Sequence, residues 1–207
     1  MTAKNPRTPP TPLTMEEGDL TSVQHPLWRI HRVSGAHPST WDELREHGPV
    51  TSMRWDPHPT PRGDHPGIGV SYASADVFTV VAEAFQQQRV ITLSRERALV
   101  GWTPTRPLRL LRVSGEWAIR NGASASLHAA PRSTCRAWAR EIHHTWPDLD
   151  GLDVPSTMTG TAMTVLFSHA ATAFPPSPAV SATLDQRVAA ALIVPVARRF
   201  RWPVTRA

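Results

Sequence analysis

GIGVSYASADVFTVVAEAF, residues 67–85, changes its hydrophobic period halfway along. GIGVSYA (67–73) reads as a strand. Beyond Ser74, which is suited to cap a helix, Val77, Val80, Val81, Ala84 and Phe85 recur at i, i+3, i+4, i+7 and i+8. At one residue per 100° these five fall within an arc of about 140°. Glu83 falls outside that arc, so its carboxylate can face a cleft instead of the core.

The flanks continue the alternation of strands and single helices. PLWRIHRV (26–33) is strand-like, and within it Arg29 lies opposite Trp28 and Ile30. Thr40 with Glu43 three residues on spells a capping box, predicting a short helix that ends at Gly48-Pro49. DPHPTPRGDHPG (56–67) is a loop. Strands are expected over 89–93, 107–113, 151–156 and 162–168. Helices are expected over 133–145, with Trp138 and Ile142 inward, and from about Thr183. One α+β domain with a central mixed sheet and flanking helices follows, over 25–207. Residues 1–24, rich in Pro and Thr and without periodicity, read as a disordered leader whose deletion leaves the fold intact.

A chain of 207 residues with 40% hydrophobic and 19% charged residues has material for a core, so full disorder is excluded. No run of 18 apolar residues and no apolar stretch at the N-terminus is present, so a soluble, cytoplasmic protein without membrane association is expected. The single cysteine, Cys135, excludes an intrachain disulfide and a Cys-rich zinc site. The net charge is +5, but Lys4 is the only lysine and the arginines are spread from Arg7 to Arg206. That dispersion argues against a basic arm, while the charge alone leaves nucleic acid, a dinucleotide and plain solvated surface open; no direct nucleic-acid partner is expected. Arginine also suits bidentate contact to the phosphates of small molecules. Ten histidines form no HExxH and no Cys/His pairing, so no metal site is expected. No GxSxG, P-loop or GxGxxG is present.

The ordered set WRIHR (28–32), RWDP (54–57), SYAS (71–74), VVAEAF (80–85), RSTCRAW (132–138) and GLDVPSTMTG (151–160) resembles the RES family, from about residue 26 to about 200. The resemblance implies a fold similar to ADP-ribosyltransferase toxins and an enzyme that degrades NAD, moving its ADP-ribosyl group to phosphate or water. It also implies a toxin with a cognate antitoxin. Carried onto this chain, it makes Arg29 and Glu83 catalytic and assigns Arg54 and Tyr72 to NAD binding. The family's serine matches either Ser133, slightly preferred as catalytic, or Ser156, placed with the NAD-binding residues. Some members have tyrosine after the first arginine, where this chain has Ile30. Cleaving a nicotinamide–ribose bond develops an oxocarbenium-like centre, which calls for a nearby carboxylate and for donors on the pyrophosphate.

Overall fold

Alternation along the strands sorts the apolar side chains into three layers. The computed structural model describes residues 4–207. In chain order its elements are β1 (Leu20–Val23), β2 (Leu27–Arg32), β3 (His47–Gly48), β4 (Gly63–Asp64), β5 (Val70–Ala73), α1 (Val77–Ala84), β6 (Ile91–Leu93), β7 (Arg97–Trp102), β8 (Leu108–Arg112), α2 (Glu116–Arg120), α3 (Arg132–Thr145), β9 (Gly151–Pro155), β10 (Ala162–Phe167), β11 (Val180–Thr183), α4 (Arg187–Phe200) and β12 (Val204–Arg206). A central mixed sheet runs β1-β8-β9-β10-β5, antiparallel except for the parallel β8–β9 pair. A smaller antiparallel sheet runs β11-β7-β2.

One face of the central sheet presents Val70, Leu111, Leu152, Val154, Val165 and Phe167 to the buried Trp138 and Ile142 of α3. Its other face presents Ala73, Leu108, Leu110 and Leu166 to Leu27, Val100 and Trp102 of the smaller sheet. The far side of the smaller sheet carries Leu99, against which Val80, Val81 and Phe85 pack together with Ile193 and Ala197 of α4. The order of layers is therefore α3, central sheet, smaller sheet, then α1 with α4. The α+β architecture with a central mixed sheet and flanking helices is the expected one.

Three expectations are corrected. The disordered leader expected over 1–24 does not hold for residues 4–24, whose partners lie far along the chain, and its residues 1–3 lie outside the described residues. β1 pairs with β8 from Leu20↔Leu111 to Val23↔Leu108, and Leu13 is only 5% exposed. The carbonyls of Pro6 and Thr14 accept the indole N–H groups of Trp138 and Trp117, both at 3.0 Å. The 40–48 helix does not form. The Thr40 amide does bond Glu43 Oε2 at 3.0 Å, half of the capping box, but Arg45 then exchanges backbone bonds with Val70, and the chain runs on extended. Nor does Ser74 cap α1. Asp76 does, accepting from the Phe78 amide at 3.0 Å, while the Ser74 hydroxyl donates to the Ala162 carbonyl at 2.9 Å.

The sheets meet where Trp28 of β2 and Ser74 exchange backbone bonds of 2.7 and 3.0 Å. β9 ends beside that junction, and its start is fixed by Gly151, at φ +151°, where a Cβ would sit 1.8 Å from the Val165 carbonyl oxygen. Gly151→Ala is expected to destabilise the protein by about 3 kcal/mol, measured by urea unfolding, because β10 must move to admit it.

Candidate active site

The amphipathic pattern of α1 puts Thr79 and Glu83 on the side of the helix away from Val80 and Val81, and Gln86 follows in the turn just beyond it. Glu83 is half-buried there, one residue from the helix end. Both its oxygens are engaged. Oε1 accepts from the Ser156 hydroxyl at 2.6 Å and Oε2 from the Gln86 amide at 3.0 Å.

Ser156 directly follows β9 and is 4% exposed. Its chain turns back through Gly160, at φ +75°, so that the Ser156 amide reaches the Thr161 carbonyl at 2.8 Å. Inside that turn the Ser156 hydroxyl oxygen accepts from the amides of Met158 and Thr159, at 3.0 and 3.2 Å. With its lone pairs so used, its single proton points at Glu83. The result is a carboxylate fixed in one orientation, both oxygens on neutral donors.

The other expected residues make no hydrogen bond to this pair and have partners of their own. Arg29 reaches across to the 41–43 segment, its Nη1 donating to the carbonyls of Trp41 and Glu43 at 3.1 and 3.0 Å. Burial pushes its pKa down to about 10, with Glu43 and Asp42 pulling it back up, so it keeps its charge at neutral pH. Arg54 sits on the α3 side of the central sheet, where its Nη1 donates to the Ala130 carbonyl and touches Cys135 Sγ at 3.7 Å. Tyr72 packs on the same side against the α3 layer. Its hydroxyl is buried without a hydrogen-bond partner, and burial together with the charge of Asp56 pushes its pKa up.

Ser133 neither meets Glu83 nor caps α3. The helix starts one residue earlier, Pro131 takes the N-cap position without a side-chain cap, and Ser133 is exposed in the first turn. The structure thus brings Ser156, not Ser133, to the glutamate.

Sequence reasoning passed over three groups. Gln86 and Thr79, three residues after and four before Glu83, were findable from the helical period. The third is a buried ionic cluster under the RWDP loop. Asp56, 0% exposed, accepts from Arg45 Nη2 at 2.9 Å, from the Val50 amide at 2.8 Å and from His58 Nδ1. Burial alone would raise its pKa, but His58, the Val50 amide and Arg45 outweigh burial and bring it down to about 2. A carboxylate with a depressed folded pKa contributes stability that is complete above its unfolded value and lost as pH falls through the folded one. Asp56 is therefore expected to lose about 2 kcal/mol between about pH 4 and pH 2. Urea melts across that range check this, and Asp56→Asn removes that share of the acid dependence.

Among the described residues no three His, Cys, Asp or Glu side chains are grouped to hold a metal, and no helix is long and apolar enough to cross a membrane.

A mixed sheet backed by a smaller one, with a helix glutamate bonded to a serine beyond a central strand, defines an α+β core with a polar pair where α1 meets the end of β9. The RES domain family model matches residues 26–188, and the chain belongs to that family. Among solved structures it is similar to the crystal structure of the M. tuberculosis MbcT-MbcA toxin-antitoxin complex, with 14% identity and a TM-score of 0.54. That alignment covers 84% of this chain and 92% of the other, and shows a shared fold. No curated protein matches the sequence.

Proposed function

We propose that this protein is a NAD-consuming enzyme and the toxin of a toxin–antitoxin pair. It breaks the bond between nicotinamide and the ribose C1′ and passes the ADP-ribosyl group to phosphate or water. The observation that carries this reading is the Glu83 carboxylate, held half-buried by Ser156 and Gln86 in a RES-domain core. As the bond breaks, nicotinamide leaves with the electron pair and positive charge builds on the ribose ring. A fixed anion beside that ring stabilises the transition state more than the ground state. Ser156 takes the part of the family's serine and orients the carboxylate. Arg29 and Arg54 hold the phosphates. Each commits one nitrogen to carbonyls, and a guanidinium has five N–H donors to share. The family resemblance assigns Tyr72 to NAD binding. No metal is required, and the acceptor oxygen, from phosphate or water, takes the open face of C1′.

The toxin reading is supported by family membership and by the shared fold with a structure of a toxin bound to its antitoxin. A cytoplasmic NAD pool is the fitting substrate source, and an antitoxin covering Glu83 would spare it. DNA contact would then come only through that partner.

The test is incubation of purified protein with NAD, with and without inorganic phosphate, and separation of the products. Nicotinamide release is expected in both. A phosphorylated ADP-ribose formed only with phosphate identifies phosphate as acceptor, and free ADP-ribose identifies water. Radiolabel passed from NAD to a protein instead marks transfer to a macromolecule. Absence of nicotinamide release in every arm overturns the proposal.

A further inference from the structure

Thr79 occupies an unusual place for a polar side chain. It is one turn before Glu83 on the same side of α1, and it is 0% exposed. Its hydroxyl has two partners, Asp76 Oδ2 at 3.1 Å and Thr159 Oγ1 at 2.9 Å. A carboxylate only accepts, so the Thr79 proton goes to Asp76. The bond to Thr159 must then be donated by Thr159, whose oxygen in turn accepts from the Thr161 amide at 3.3 Å. The result is one directed chain, from Thr161 through Thr159 and Thr79 to the carboxylate that caps α1.

That chain lands in the turn that holds Ser156. Thr159 supplies one of the two amides that fix the Ser156 hydroxyl. The 156–161 turn is therefore tied to α1 at two points one helical turn apart, Ser156 on Glu83 and Thr159 on Thr79. The β9–β10 hairpin closes the turn from the sheet side, and these two contacts fix it against the helix.

We propose that Thr79 is a positioning residue, which pins the 156–161 turn through Thr159 and so sets the Ser156 hydroxyl on Glu83. The proposal rests on the reading of Glu83 as the group that stabilises the breaking nicotinamide–ribose bond. A misplacement of about 1 Å in such a group costs as much as a hundredfold in rate.

Thr79→Val keeps the shape and removes the hydroxyl, Thr79→Ser keeps the hydroxyl, and Thr159→Val cuts the tie from the loop side. Nicotinamide release gives kcat and KM. Hydrogen exchange followed by NMR reports the Met158 and Thr159 amides without any need for activity. Thr79→Val is expected to lower kcat about tenfold or more with KM within about twofold, and Thr79→Ser to restore it to within about threefold. Thr159→Val should match Thr79→Val, and the double variant should lose no more than either, because the two hydroxyls form one tie. The two amides should exchange at least tenfold faster in both valine variants.

Wild-type kcat and wild-type exchange in Thr79→Val overturn the proposal, and so does a loss confined to KM or a failure of Thr79→Ser to rescue. Should Thr79→Val not fold, Thr159→Val carries the same readings. Should the wild type release no nicotinamide, the functional reading fails, and the exchange of the two amides still decides whether Thr79 pins the turn.

Discussion

Glu83→Gln is expected to cut NAD turnover by about a hundredfold or more while NAD still binds. The glutamine has nearly the same size and keeps an oxygen to accept from the Ser156 hydroxyl, so the turn beyond β9 stays in place. What disappears is the negative charge. Binding of NAD precedes the growth of positive charge on the ribose, so the loss falls on kcat. The fold should survive, because Glu83 is half-buried on the polar side of α1 and outside every apolar cluster. Nicotinamide release measures the loss, calorimetry with NAD measures binding, and a thermal melt reports the fold. Turnover near the wild-type rate would remove the carboxylate from the mechanism.

Deleting residues 1–24 should have the largest effect on stability, contrary to what the Pro- and Thr-rich composition suggests. The truncation strips β1 from the edge of β8 and takes Leu13 and Val23 out of the core. It leaves the indole N–H groups of Trp117 and Trp138, both buried, without their carbonyl acceptors. It also removes Asp19, the buried partner of Arg120, and Thr14, which exchanges bonds with Asn121. A buried donor left unpaired costs about 1–3 kcal/mol, and each lost apolar side chain about 1.5–3 kcal/mol. The sum is at least about 5 kcal/mol, the lower end of the total stability of a typical domain. The truncated chain is expected to be insoluble, or to melt about 10 °C or more below the full chain. An unchanged melting temperature would show these contacts to be idle.

How far the sequence carries depends on whether the partner is local. α1 and α3 were legible because an apolar stripe records which side faces the core, and Trp138 and Ile142 lie where the stripe puts them. The same period left Glu83 off the core. The leader was not legible, because its order comes from backbone carbonyls meeting indoles more than 100 residues away. The capping signal at Thr40 and Glu43 was real, yet a single turn lost to the pairing of Arg45 with Val70. β7 carries no alternation to read, being buried on both faces from Ala98 to Trp102. The two serines show the same rule. Ser133 sits where serines commonly cap helices, but the helix starts before it. Ser156 gains its place from Glu83, and nothing within its own stretch announces that contact.

The separation between those two residues has a consequence during synthesis. Glu83 and Ser156 stand 73 positions apart. At about 5–20 residues per second a ribosome needs roughly 4–15 seconds to pass from one to the other. Through that interval a nascent chain displays the helix glutamate without its serine, and β5 without β10, the strand that flanks it in the central sheet. If the proposed function holds, newborn molecules lack the assembled pair for seconds while still tethered to the ribosome, and a neutralising partner would have a head start on every copy.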